Sequence, residues 1–407
     1  MRFPSSWLGV LLLSLVLVGP AAAECGGDFA LWLDGLRAQA RESGVSEASV
    51  RLLDAVRPNK KVLALDQSQQ VFTQTWLTFA GRMVNSYRLK TGRALLKKYA
   101  DVFARAEEVY GVPGPVIAAF WGLETDYGAV QGGFDTLSAL ATLAHDCRRP
   151  ELFRPQLIDA LRLVDSGYLT RRELKGAWAG ELGQIQMLPS DYRAFGTDGD
   201  GDGRVDLKQS RSDVIMTAAR FLARLGWRRG EPWLVEVRVP AELPWEQAGV
   251  YNRLPQGDWA ALGVTDVLAA KRPPEQTPAA LLLPMGRKGP AFLAYPNFSV
   301  FLKWNRSLVY STTAAYFATR LAGAGKVEAR RPETGLSFDQ MKRLQQELAA
   351  RGHDVGKIDG VLGARTRDAV RTEQLRLGLP ADAWPTGALL SRLVESSNSA
   401  GESLRLR

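Results

Sequence analysis

In the run Trp121-Gly122-Leu123-Glu124-Thr125-Asp126-Tyr127-Gly128, Glu124 is the first charge after an apolar stretch that begins at Val116. A carboxyl at the end of a greasy helix has its charged form disfavoured by desolvation, so its pKa rises and it can hand over a proton near neutral pH. That makes Glu124 a candidate general acid. The plainer reading is a helix C-terminal glutamate reaching solvent. Asp126 is a poor partner for it, because residues two apart on a helix point to different sides. A second segment, Gly176 to Tyr192, interleaves small residues with Trp178, Gln184, Gln186 and Tyr192. Such spacing lets backbone and amide groups approach a ligand closely, as a sugar-binding cleft requires, though alone it fits a tightly packed helix junction equally well.

The loop from Asp198 to Asp206 offers carboxylates of Asp198, Asp200 and Asp202, Gly203 at the sharp turn and the backbone carbonyl of Arg204. This is the ligand order of an EF-hand calcium loop. Gln209 stands where the closing Glu is expected, so Asp213, beyond a lengthened loop, is the candidate closing ligand. The alternative is an Asp/Gly turn without metal. Zinc is excluded by two distant His and two cysteines expected to pair.

These groups sit in a chain of 407 residues, long enough for two or three domains. With 46% apolar and 23% charged residues, wholesale disorder, collagen-like repetition and a multi-span membrane protein are excluded. The net charge of +9 points to anionic partners: nucleic acid, an acidic polymer or a membrane surface. Residues 1–23 carry Arg2, an apolar run from Trp7 to Val18 and the trio Ala21-Ala22-Ala23, the pattern of a secretory signal peptide. The run is shorter than the ~20 residues that span a bilayer, so no transmembrane segment is expected. Export argues against nucleic acid. Lipidation of Cys25 is disfavoured because Glu24, not a small residue, precedes it. An oxidising compartment favours a disulfide between Cys25 and Cys147; two unrelated buried thiols are the alternative.

From Phe29 to Leu225 the periodicity is mainly helical, as in Leu31, Trp32 and Leu36, or Leu95, Tyr99, Val102, Phe103 and Ala106. Gly111, Pro113 and Pro115 break one helix and start the next. Trp233 to Pro240 alternates like a strand, and residues 291–321 read as mixed, then helical. The sequence divides into a main domain over 24–322, a polar linker over 323–337, a compact unit over 338–394 and a frayed polar tail over 395–407. In the compact unit, helices are expected around Met341 to Leu348, from Thr366 to Leu377 and from Thr386 to Leu393.

The order and separation of these motifs resemble the lytic murein transglycosylase B family of peptidoglycan-cleaving enzymes. The similar residues are Glu124 to Gly128, Asp135 to Leu143, Arg148-Arg149, the segment ending Gln186-Met187-Leu188-Pro189-Ser190, the Asp198 loop, Phe221 to Trp227, and Asn297 to Tyr310. The resemblance implies a mainly α chain: a lysozyme-like helical catalytic domain with small β elements. It implies Glu124 as the single catalytic acid/base, Gln186 facing the glycan, and Arg148, Arg149, Trp304 and Tyr310 along the substrate groove. It also implies that chemistry needs no cofactor, leaving calcium a structural role. Ala177 departs from the family's frequent Ser, and Glu181 from a small apolar residue.

Ordinary glycosidases need two carboxyls at fixed separation; this family is associated with one, which protonates the glycosidic oxygen and then takes the proton of the sugar's C6 hydroxyl, leaving a 1,6-anhydromuramic acid end. The unit at 338–394 resembles a three-helix peptidoglycan-binding domain. The implied protein is periplasmic and acts on peptidoglycan glycan strands, with cell-wall synthesis or division proteins as candidate partners. A catalytically silent wall-binding or scaffold protein is the alternative, favoured if Ala177 and Glu181 spoil the site.

Overall fold

The computed structural model describes residues 25–67, 74–267 and 273–405; the expected signal peptide lies outside them. The chain is mainly helical with few strands. Cys25 and Cys147 form a disulfide, their Cα atoms 5.0 Å apart, and the Gly26 amide donates to the His145 carbonyl at 2.8 Å. This clip ties the start of helix Phe29–Glu42 to the end of helix Thr136–His145. Asp28 caps the first of these by accepting from the Leu31 amide at 2.9 Å. Its buried stripe is Trp32, Leu33, Leu36 and Ala40, whereas Leu31 faces solvent. Reducing the disulfide is expected to cost about 2–4 kcal/mol, read as a lower urea midpoint that the Cys25→Ser/Cys147→Ser protein reproduces without reductant.

Helix Gly114–Thr125 is the centre of the main domain. Gly111, at φ 74°, ends the preceding helix Ala100–Tyr110 in the left-handed region, and Pro113 and Pro115 set the entry of the new one. Every side chain from Val116 to Trp121 is fully buried. Helices Ser86–Lys98, Ala100–Tyr110, Arg211–Arg224 and Leu308–Leu321 pack around it, the environment that a helix apolar on every side demands.

Behind the helices lies a five-stranded antiparallel sheet in the order 254–255, 278–282, 291–294, 234–238, 265–266. Strand Leu234–Arg238 matches the alternation in the sequence; Pro278–Leu282 and Ala291–Ala294 carry no such signal because nearly all their residues are buried. Leu234, Ala280, Leu282, Phe292 and Ala294 point into the main helical core. Val237, Leu281, Leu293 and Ala291 join Trp245 and Trp259 in a second core on the other face.

The C-terminal unit consists of helices Phe338–Ala350, Ala364–Arg376 and Gly387–Arg405 around Met341, Leu344, Leu348, Val370, Leu389 and Leu393. Its last helix runs well past Leu393, so the backbone of the polar tail continues the helix to Arg405. Residues 323–337 have no regular structure, yet they are not a loose tether. The Val327 amide donates to Tyr316 Oη at 3.2 Å, Glu328 N to Glu236 Oε1 at 2.9 Å, and Arg330 Nη2 to the Val237 carbonyl at 2.6 Å. The unit itself docks on the main domain: Arg367 Nη2 donates to the Pro284 carbonyl at 2.9 Å, Asp382 Oδ2 accepts from Arg287 N at 2.9 Å, and Trp384 joins the main core. Burial at this joint pushes the Arg367 guanidinium down to about 10. A 710 Å³ cavity between the two is lined by Tyr251, Arg306, Leu308, Gly335, Arg367 and Trp384, among others.

Candidate active site

Glu124 is the penultimate residue of its helix, and the chain then makes a left-handed exit through Asp126, Tyr127 and Gly128. Arg88 secures the exit: its Nε donates to Asp126 Oδ1 at 2.5 Å, and its carbonyl accepts from Tyr127 Oη at 2.8 Å. Gly128 has φ 89°, and any Cβ there would overlap the Gln184 side chain. A glycine is required at this position on both counts.

Gln184, buried, pins the glycine-rich segment to the acid-bearing helix. Its Oε1 accepts from Trp121 Nε1 at 3.1 Å, its Nε2 donates to the Lys208 carbonyl at 3.0 Å, and its own carbonyl accepts from Thr125 Oγ1. Gln186, the residue expected to face the glycan, has φ 49° and is half-buried. Its Nε2 donates to the Gly183 carbonyl at 2.9 Å and the Gln131 carbonyl at 3.3 Å. Gln184 and Gln186 are thus near in sequence but differ in place, one in the core and one toward the surface.

The carboxyl of Glu124 is held from one side. Its Oε1 accepts from Trp304 Nε1 at 2.8 Å and from Tyr310 Oη, while Oε2 has no hydrogen-bond partner among the described residues. Phe120 stacks on the Trp304 ring at 4.3 Å and Phe221 meets it edge-on at 5.5 Å, fixing the direction of the indole N–H. Tyr310 sits in the first turn of helix Leu308–Leu321, whose cap is Ser307. Burial raises the Glu124 pKa above the ordinary carboxyl value, and the Tyr310 and Trp304 hydrogen bonds oppose this without cancelling it. Burial and the Glu124 charge hold the Tyr310 phenol well above its usual pKa, so it stays a neutral donor. The arrangement is a carboxyl with one oxygen anchored and the other free, protonated to a higher pH than usual, which suits proton transfer to an oxygen of a bound ligand.

Other expected residues lie apart from this pair of contacts. Arg148 and Arg149 follow the disulfide directly and both bind the buried carboxylate of Asp66. They do not bond to Glu124; the charge of Arg149 reaches Glu181 instead. Ala177 donates its amide to the Glu181 carbonyl at 2.9 Å, so this departure from the family pattern lies in the same turn as Glu181. In the acidic loop, Asp198, Asp200 and Asp202 bring one oxygen each within 4.8 Å of one another, a donor set that fits a hard divalent cation. Asp213 does not join them: its two oxygens accept from the Gly199 and Asp206 amides at 2.8 and 2.6 Å. It braces the entry and exit of the loop, because a buried carboxylate takes the nearest amide donors. Gln184, one of the groups whose spacing suggested close approach to a ligand, is instead buried with both side-chain polar atoms bonded within the protein, whereas Asp66 and Thr125 carry no individual signal in the sequence.

Comparison with known proteins gives these features a context. The family described as "Transglycosylase SLT domain" matches residues 28–319, and a peptidoglycan binding domain matches residues 339–393. Membrane-bound lytic murein transglycosylase B of Escherichia coli (strain K12) is 30% identical over 237 residues, which span 58% of this chain and 64% of that relative. SltB3 from Pseudomonas aeruginosa, solved in complex with NAG-anhNAM-pentapeptide, is 37% identical with a TM-score of 0.84, over 90% of this chain and 100% of that one. The Escherichia coli lytic transglycosylase Slt35, solved in complex with calcium, is 27% identical with a TM-score of 0.63, over 75% of this chain and 98% of that one.

Proposed function

Because the chain belongs to the transglycosylase SLT domain family, we propose that it is an exported lytic transglycosylase that cleaves the β-1,4 bond between N-acetylmuramic acid and N-acetylglucosamine in peptidoglycan. The observation that carries this reading is the Glu124 carboxyl, anchored through Oε1 by Trp304 and Tyr310 with its pKa raised by burial. Glu124 gives its proton to the glycosidic oxygen as the C1–O bond breaks, and the departing sugar keeps that proton as its 4-hydroxyl. The resulting carboxylate takes the proton of the muramyl C6 hydroxyl while O6 closes on C1. Glu124 ends protonated, no water is consumed, and the product carries a 1,6-anhydro ring. Trp304 and Tyr310 stabilise the carboxylate between the two steps.

Gln186, Arg148 and Arg149 are assigned to the substrate groove, the arginines acting with Asp66 as a fixed basic patch. The C-terminal unit is assigned to wall adhesion. Its docked position supports a fixed geometry between adhesion and cleavage, beyond the rise in local concentration that tethering alone would give. The disulfide supports an oxidising, periplasmic location, and no helix among the described residues is long and apolar enough to cross a membrane. Digestion of purified sacculi tests the reading: anhydro-ended muropeptides are expected, reducing-ended fragments would mean a hydrolase, and no release would favour the silent binder.

Tyr310→Phe removes a donor that favours the charged form of Glu124. The expected result is kcat lowered on the order of tenfold, with the basic limb of its pH profile moved upward, since the acid then holds its proton longer. A calcium ion would be held by Asp198, Asp200, Asp202 and the Arg204 carbonyl as a brace for the loop, with no part in proton transfer. Calcium at a hundredfold excess over its Kd should raise stability by about 2.7 kcal/mol, read by thermal unfolding with and without chelator, and Asp200→Asn should weaken that response.

A further inference from the structure

Trp304 supplies one of the two anchors on Glu124 Oε1, and its indole is held from two directions. Phe120 stacks on it at 4.3 Å and 28°. Phe120 stands one turn before Glu124 on the same helix, so this support moves with the acid. Phe221 meets the indole edge-on at 5.5 Å and 67°, and it comes from a different element, helix Arg211–Arg224. Phe221 also touches Phe195, the centroids 5.2 Å apart. Phe195 is the last residue of helix Pro189–Phe195, and the acidic loop begins three residues later at Asp198.

The segment between Phe195 and the loop is stitched along helix Arg211–Arg224. Arg220 Nη1 donates to the Gly196 carbonyl at 3.3 Å, Thr197 N to Thr217 Oγ1 at 2.9 Å, and Gly199 N to Asp213 Oδ1 at 2.8 Å. Asp213, Thr217, Arg220 and Phe221 follow three- and four-residue steps, so one face of this helix carries both the loop entry and the Trp304 contact.

We propose, on the strength of the transglycosylase reading, that Phe221 is a positioning residue for Glu124: backed by Phe195 at the rigid entry of the acidic loop, it holds the Trp304 N–H on Oε1. Edge-to-face packing fixes an orientation as well as a distance, and a hydrogen bond weakens steeply once its donor tips out of line. The Trp304 N–H favours the charged form of Glu124. A tipped indole therefore lets the acid keep its proton to higher pH and stabilises the carboxylate less after proton transfer. The titratable groups about Glu124 are Tyr310, on Oε1, and Glu181, whose charged form the Glu124 charge disfavours; Arg88 is paired with Asp126. The substitutions that test the proposal touch none of them.

Phe221→Leu is expected to move the basic limb of the kcat profile on purified glycan strands up by about half a pH unit and to lower kcat about threefold, two readings of one loss in carboxylate stabilisation. Phe221→Tyr keeps the ring and should restore both. Phe195→Leu should move the limb the same way by a smaller amount in the native background and not at all on top of Phe221→Leu, because its effect runs through that ring. A limb that stays put or moves down in Phe221→Leu, a failure of Phe221→Tyr to restore it, or a Phe195→Leu effect that adds in full overturns the proposal.

A second readout does not need turnover. The nitrogen-15 NMR signal of the Trp304 indole, assigned by its absence in Trp304→Phe, should follow the Glu124 titration in the native protein. Its change across the titration should shrink in Phe221→Leu and return in Phe221→Tyr, and an unchanged response in Phe221→Leu overturns the positioning role. If the indole behaves as expected but sacculi release no anhydro ends, the transglycosylase reading has failed and the aromatic brace has not.

Discussion

Glu124→Gln is expected to lower the release of anhydro-ended muropeptides by about 10²–10⁴-fold, the range for loss of a general acid–base group, while the protein stays folded. The amide retains a carbonyl oxygen for Trp304 Nε1 and Tyr310 Oη, both of which bond to a single oxygen of the native carboxyl. Geometry is thereby kept and only the transferable proton is lost. Stability should move the other way. Burial raises the folded pKa of Glu124 above the unfolded value, so the contribution of this carboxyl is fully present below the unfolded pKa and lost as pH rises through the folded one. Replacing it by an amide removes that loss, and the variant should gain on the native protein as pH climbs from the ordinary carboxyl range through neutrality. Urea titrations at pH 4 and pH 7.5 read this difference. A variant that keeps more than about a tenth of native activity would move the acid elsewhere, with Glu181 the next carboxyl to examine.

The buried helix that carries Glu124 was legible because an apolar run ending in its first charge is a local pattern, and the structure keeps that helix at the centre of the domain. The partners that orient it were not legible from spacing. Trp304 and Tyr310 lie 180 and 186 residues away, and no local rule joins them to position 124; their place in the groove was implied only by family resemblance, and their direct bond to the acid was not foreseen. Arg148 and Arg149 were placed in the groove by resemblance alone, and their engagement by Asp66 was not legible, because it lies more than 80 residues earlier, on helix Lys60–Gln67. Asp213 read as a metal ligand because its distance from the loop was visible and the competing amides of Gly199 and Asp206 were not. The sheet split along the same line. The half-exposed strand at 234–238 alternates and was found, whereas the strands at 278–282 and 291–294, buried on both faces, show no period. Composition alone made residues 323–337 read as a polar linker, and only tertiary contacts show it pinned along the sheet.

Trp121→Ala is expected to be the most destabilising single change near the site, at about 4–7 kcal/mol: roughly 3–5 for removing a large buried ring and on the order of 1–2 more for the acceptor left without a donor. Trp121 is fully buried, and its Nε1 satisfies Gln184 Oε1 at 3.1 Å. Gln184 links the glycine-rich turn to the helix that carries Glu124 and, through Nε2, to Lys208 next to the acidic loop. Loss of the indole therefore opens a cavity one turn before the acid and releases the turn that carries Glu181 and Gln186. Trp121→Phe separates the two effects, since it keeps most of the ring and drops only the donor; about 1–3 kcal/mol is expected there. Gln184→Met in the Phe background removes the stranded acceptor and should cost less than the sum of the two single changes, which denaturant midpoints arranged as a double-mutant cycle would reveal. Strict additivity would mean that the Trp121–Gln184 bond does not couple helix to turn, and the rigid seat for Glu124 would have to be sought in the Thr125 hydroxyl contact to the Gln184 carbonyl instead.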